Sequence, residues 1–290
     1  MEVFVRVVDL GGFSAAARAL RMTPSAVSKL IARLEARLGA RLINRSTRKL
    51  QLTPEGAAFH DQAQRILADL DEAERSAAAG AAPRGRLRVN TSVPFGTHHL
   101  IPLLPDFLDM HPEITVDVTL TDKVVDLLEE RADVAIRVGP LKESQLVARK
   151  LGESRMMLVA APSYLETHGA PQSPSDLARH NLLGFSFARQ SNGWPFRDAD
   201  GNVMAFVPTG NAQVSDGESM RLLVLTGLGI SRLSLFHIGP DISAGRLVPV
   251  LERYNPGDTE SIHAVYVGGG HLPMRVRAFL DFLVERIRLA

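Results

Sequence analysis

Ser25, Ser28, Lys29 and Arg33 follow one another at intervals of three, one and four residues, and each carries a group that can hydrogen-bond to DNA. Hydroxyls and ammonium groups read base edges, and guanidinium groups hold bases or phosphates. With Pro24 ahead of them and Ala32 and Ala36 among them, they share one side of a predicted helix. The other side carries Val27, Ile31, Leu34 and Leu38 at intervals of four, three and four, a single apolar stripe. Small side chains on the polar side let such a helix approach the floor of a major groove. Arg41, Arg45, Thr47 and Arg48, with Lys49 beside them, come next and suit phosphate or minor-groove contact.

The elements that must position these groups are legible nearby. Ser14 is expected to N-cap a first helix, Ala15–Leu20, with Ala16, Ala17 and Leu20 inward. Arg21-Met22 turns the chain, Thr23 caps the second helix with Pro24 at its first position, and Gly39 ends it. Leu42–Arg45 and Leu50–Leu52 read as short strands around a basic tip, Ser46–Lys49. The sum is a winged helix-turn-helix. The competing reading is a surface helical pair with a solvated basic hairpin, and charge separates the two. Residues 1–58 hold ten Lys and Arg against four Asp and Glu, a net +6; the whole chain stands at +1, so the remainder is about −5. Positive charge is concentrated where phosphates would be met.

The run Phe13-Ser14-x-Ala16-Ala17-x-x-Leu20, continued by Ser25-Ala26-Val27-Ser28-x-x-Ile31-x-x-Leu34-Glu35-x-x-Leu38-Gly39-x-x-Leu42-Ile43-x-Arg45, resembles the DNA-binding signature of LysR-type transcriptional regulators. Within them it is most similar to the CrgA-like subgroup. Members usually carry a few more residues before Met-Glu-Val-Phe, so the first helix, roughly Glu2–Asp9, is expected to be short. The resemblance implies a ligand-responsive DNA-binding regulator. It also implies a C-terminal effector domain with the two-lobed fold of periplasmic solute-binding proteins. Landmarks of that domain are seen in Val134–Pro140, Gly227–Ile230, Gly245–Leu251 and Arg277–Leu283.

Thr53-Pro54-Glu55 opens a further helix that can run to about Ala79. Phe59, Ala63, Ile66, Leu70, Ala73 and Ala77 repeat at four, three, four, three and four, a heptad seam suited to pairing with a second copy. A homodimer would place two reading helices on a pseudo-palindromic double-stranded site. Paired sensor domains, and with them a dimer of dimers, are what the resemblance adds. The expected organisation is 1–58 winged helix-turn-helix, 59–80 linker helix, 81–86 hinge and 87–290 effector domain. Lobe I of the last comprises about 87–162 and 263–290, and lobe II about 163–262.

From Leu87 onward, strands and helices alternate as in an α/β domain. Strands are expected at Leu87–Asn90, Ile114–Leu120, Val134–Val138, Arg155–Ala161 and Ile262–Val267, and near 182–186, 203–207 and 211–215. Helices are expected at about Phe95–Met110, Asp122–Arg131, Glu218–Thr226 and Pro273–Leu289. Ligands of open α/β sheets sit beyond the carboxyl ends of strands. That places an effector site at Thr91, Ser92, Phe95 and Gly96, faced by Thr121, Arg137 and Ser215, with Trp194 as an apolar wall. A small organic molecule bearing a carboxylate or an aromatic ring fits a hydroxyl-rich helix start. The plain alternatives are that Ser92 and Thr97 only cap the helix and that Trp194 belongs to a core.

The chain has no cysteine, so thiolate metal sites and disulfides are excluded. His98-His99 has no second ligand cluster in sequence, and no metal or cofactor is expected. Gly268-Gly269-Gly270 lacks the Lys-Ser/Thr of a phosphate loop, and no nucleophile elbow supports catalysis. No apolar run approaches membrane length and no secretory signal is evident, so a cytoplasmic location is expected. A solute-binding protein or an enzyme on the two-lobed domain is the competing class; the basic N-terminal module argues against both.

Overall fold

The computed structural model describes residues 1–45, 50–76, 82–123, 132–141, 146–186, 193–198, 201–268 and 272–289. The hairpin tip with Thr47 and Arg48, and most of the helix expected at 122–131, lie outside them. The chain forms two compact units, Met1–Ala81 and Ala82–Ala290.

The first unit contains α1 (Glu2–Asp9), α2 (Phe13–Ala19), α3 (Pro24–Leu38), the hairpin β1 (Ile43–Arg45) and β2 (Leu50–Leu52), and α4 (Pro54–Ser76). Phe4, Val7, Ala16, Ala17, Val27, Ile31, Leu42 and Ala63 make its core. Two local expectations need correction. Ser14 is exposed inside α2; the helix starts at Phe13, and the cap position falls on Gly12 in extended backbone. Leu38 is 41% exposed, because the helix ends there and Gly39 (φ +65°) turns the chain away before the stripe reaches a partner. Thr53 caps α4 by accepting the amide of Gly56 at 2.9 Å, and its hydroxyl donates to the Arg41 carbonyl at 2.6 Å. A Cβ on Gly56 would stand 1.9 Å from the Leu42 carbonyl oxygen, so only glycine lets α4 cross the base of the wing this closely.

In the second unit the chain runs through β3 (Gly85–Thr91), α5 (Val93–Phe95), a wide turn of π-helix at Gly96–Leu100, and α6 (Ile101–Met110). Then come β4 (Ile114–Leu120), β5 (Val134–Val138), β6 (Leu146–Ala160) and α7 (Pro162–His168). Next are β7 (Gly184–Phe185), β8 (Trp194–Arg197), β9 (Val203–Phe206), β10 (Gln213–Val214) and α8 (Gly217–Leu225). β11 (Ile230–Ser234), α9 (Leu235–Ser243), β12 (Val248–Pro249), β13 (Thr259–Val267) and α10 (Met274–Arg286) complete it. Strand β3 starts at Gly85, inside the stretch expected as hinge.

The main sheet runs β11-β6-β13-β5-β3-β4, with β12 also on β6. Strands β4 and β5 lie parallel to β3, while β13 is antiparallel to both β5 and β6. The first part of β6, up to Arg155, pairs with β13, and Met156–Ala160 pairs with β11. One strand therefore serves two lobes. Leu87, Val89, Phe107, Ile136, Ile262, Phe279 and Leu283 fill the core of the first lobe. In the second, Leu158 and Ala160 face one cluster with Tyr164 and Leu177, while Met157 and Val159 face another with Met220 and Ile238. Strict alternation along β6 separates the two.

Candidate nucleic-acid interface and effector site

The reading helix is set by a cap. Thr23 accepts the amide of Ala26 at 3.2 Å and Pro24 takes the first helical turn, where a missing N–H costs nothing. Val27, Ile31 and Leu34 are buried, which turns Ser25, Lys29, Ala32, Arg33 and Ala36 out to solvent, with Ser28 half-buried. The wing is tied to this helix through Glu35, one carboxylate oxygen of which accepts the amides of Leu42 at 2.8 Å and Ile43 at 3.2 Å. Arg41 is exposed directly before the first wing strand. Sequence reasoning gave Glu35 no role; only the fold brings these amides to it.

Along α4, Phe59 packs edge-on to Phe4 with ring centroids 5.5 Å apart, and Ala63 is fully buried in the same core. Both residues were expected in an intermolecular seam; Ala63 is instead buried within its own unit, and Phe59 is half-buried against α1. Past Ala63, Gln64 still reaches Asp9 and Leu67 still packs on this core, while Ile66 and Leu70 are 44% and 55% exposed.

At the carboxyl end of β3, the hydroxyls of Thr91 and Ser92 are buried and have no hydrogen-bond partner among the described residues. Ser92 stands at the cap position of α5 without capping it. That work falls to Asp122, which accepts the amide of Val93 at 2.7 Å and, through its other oxygen, the amide of Gly217 at 2.7 Å. One carboxylate thus bridges a helix start in each lobe. The contact is close: a Cβ on Gly217 would lie 2.6 Å from Pro94. Thr121 donates its amide to the Thr91 carbonyl at 2.8 Å, Arg137 donates to Asn90 at 2.5 Å, and Ser215 is exposed just before α8. Thr91, Ser92, Thr121 and the segment leading into Gly217 therefore meet at one edge.

Three other expectations do not hold. Phe95 is fully buried, packed on His99 and Phe236, and offers no face to a ligand. Gly96 is a packing residue whose Cβ would meet Leu120 at 2.2 Å. Trp194 packs on the second lobe's core with Phe196 and Tyr164 rather than walling the edge.

Beside this edge His98, Glu218 and His237 converge. A carboxylate oxygen of Glu218 lies 2.8 Å from His98 Nε2 and 3.0 Å from His237 Nε2. Arg221 donates to the other oxygen at 2.7 Å and forks onto Asp241 at 2.5 and 3.0 Å, which also receives Arg246 at 2.7 Å. Burial pushes His237 down to about 4 against the opposing pull of Glu218, so the ring is neutral near pH 7. Asp241 is buried as well, yet its bonds to Arg221 and Arg246 outweigh that and hold its carboxyl below the usual range. Pro240 within α9 leaves the Phe236 carbonyl without its helical N–H, and His99 Nε2 fills the gap at 3.1 Å. No ligand-type neighbour of His98 was visible in sequence; the fold brings it Glu218, 120 positions away, while leaving it partly exposed.

Comparison with known proteins decides the family. The model described as "Bacterial regulatory helix-turn-helix protein, lysR family" matches residues 1–57, and "LysR substrate binding domain" matches residues 80–288. The chain belongs to the LysR family of transcriptional regulators.

Among its relatives, the HTH-type transcriptional regulator CrgA of Neisseria meningitidis is 42% identical over 288 residues, covering 99% of this chain and 96% of that protein. The HTH-type transcriptional activator AaeR of Escherichia coli is 32% identical over 286 residues, covering 98% and 92%. The solved structure of CrgA aligns with a TM-score of 0.66 over 98% of this chain and 96% of its own. Full-length AphB, a virulence activator of Vibrio cholerae, is 28% identical and aligns at 0.62 over 98% and 97%. The relatives matched end to end are regulators of transcription, so a transport or metabolic reading of the two-lobed unit alone is not favoured. Among the described residues, no helix is long and apolar enough to cross a membrane.

Proposed function

We propose that this LysR regulator reads a pseudo-palindromic promoter site as a homodimer, or a dimer of dimers, and answers to a small carboxylate-bearing effector at the edge between its lobes. Pro24 sets the start of the reading helix, and Ser25, Ser28 and Lys29 contact base edges. Arg33, Arg41, Arg45, Thr47 and Arg48 serve phosphates or the minor groove. The exposure of this face opposite the buried Val27-Ile31-Leu34 stripe is the observation that supports it most. The protein acts in the cytoplasm, by binding rather than by catalysis.

The effector reading rests on two buried hydroxyls, Thr91 and Ser92, that lack partners among the described residues and sit beside a carboxylate bridging two helix starts. Leaving such groups unmatched is costly, and a ligand that satisfies them gains accordingly. An effector carboxylate would compete with Asp122 for the amides of Val93 and Gly217. Trading one bridge for another changes how the lobes meet, which is the differential binding that switching needs.

The test joins an electrophoretic shift on the upstream intergenic DNA with a thermal-shift screen of small carboxylates and aromatics. A retarded complex is expected, together with a ligand whose stabilisation shrinks in Ser92→Ala. Equal stabilisation of mutant and wild type would move the effector elsewhere. Failure to shift any upstream fragment would remove the promoter reading.

A further inference from the structure

We infer that His98, Glu218 and His237 form a binding site for a divalent transition-metal ion of the zinc class, shared between the two lobes. The imidazole nitrogens and a carboxylate oxygen of these residues lie within 4.8 Å of one another. Two imidazoles and one carboxylate are a donor set that zinc accepts, with a position left for water or an anion. Ligand atoms at about 2.0–2.2 Å from a four-coordinate ion stand roughly 3.3 Å apart, so side-chain shifts of about an ångström complete the site.

Each ligand is held by something else. His98 rides the wide turn Gly96–Leu100. Pro102, whose ring would press on the His98 carbonyl in a regular helix, accounts for that turn. His99, bonded to the Phe236 carbonyl and stacked on Phe95, anchors the same turn against the second lobe. The residue before His237 is fixed by the Phe236 amide donating to Ser154 at 2.8 Å. Arg221 orients the free oxygen of Glu218. Outer partners of this kind pre-set ligands for a metal.

The charges set the character of the site. Glu218 and Asp241 are balanced by Arg221 and Arg246, so a divalent ion arrives without a compensating anion. Affinity below that of closed four-ligand sites follows, as does a preference for an anionic donor at the open position. The ion joins His98 of the first lobe to α8 and α9 of the second, and so favours the arrangement in which the lobes meet. This inference stands on its own residues and does not depend on Thr91 or Ser92.

The test uses chelator-stripped, full-length protein titrated with Zn²⁺ against a chromophoric chelator, and with Co²⁺ as a visible probe. One ion per chain and a d–d absorption band are expected, with a rise in Tm on adding Zn²⁺. His98→Ala and His237→Gln should each lose the band and weaken Zn²⁺ by more than the about 10–100-fold that loss of an outer partner costs. His111→Ala, outside the cluster, should bind as wild type does. His98 is partly exposed, so its variant reports even if the buried His237→Gln fails to fold. Binding that survives His98→Ala, or the absence of a bound ion in the wild type, overturns the inference and leaves a hydrogen-bonded triad.

Discussion

At Thr23 a single hydroxyl accepts the Ala26 amide and so fixes the direction in which Ser25, Ser28 and Lys29 leave the helix. Ser28→Ala should therefore cost on the order of 1–3 kcal/mol on the cognate site and little on random DNA, read by competitive mobility shift. Equal losses on both would show that Ser28 does not read bases. His237 gives a different kind of expectation. Glu218, His98 and Arg221 surround it, and burial holds it at about 4 against an ordinary 6.5. In metal-free protein the unfolded chain takes up this proton first as pH falls. Stability present above about pH 6.5 is lost down to about pH 4, by up to roughly 3 kcal/mol. Denaturant midpoints across that range measure it, and a flat profile would count against a neutral, buried His237. The groups proposed to read DNA were visible in sequence because they lie close together on one helix. Asp122 with Gly217, and His98 with Glu218 and His237, were not, since only packing of distant segments brings them together.

Among the elements, α4 has two parts that one heptad pattern could not separate. Its first turns close the N-terminal core through Phe59 and Ala63, and its later turns expose Ile66 and Leu70. Ile66→Glu should lower the mass seen by light scattering and weaken DNA binding, because a charge would have to be buried in the paired seam. Unchanged mass and affinity would leave α4 without a pairing role. Helices with strong punctuation were the most legible: Thr23-Pro24 to Gly39, and Thr53-Pro54 onward, have their ends written in them. Strand β6 was legible only in its apolar second half, because Leu146–Ser154 is polar on one face and owes its pairing to β13. Helix α9 escaped notice since Gly239-Pro240 reads as a break; a histidine from another helix satisfies the carbonyl that Pro240 leaves open.

For the whole molecule, charge asymmetry and motif density marked a DNA-reading unit joined to an α/β sensor, and the two compact units have that order. The mutual placement of sites within the sensor could not be read from the chain, because no local signal says which strand edges face each other. One consequence of the shared strand lies outside regulation. Arg155 and Thr259 are register partners on β6 and β13, and the described residues between them, Phe236 apart, pack in the second lobe. That lobe is thus an insertion whose two ends sit side by side on neighbouring strands. Recombination between related genes could exchange it as a cassette, leaving the first lobe's sheet and both chain ends undisturbed. New chemical sensitivities would then be acquired by grafting at two adjacent seams, while the DNA address stayed the same.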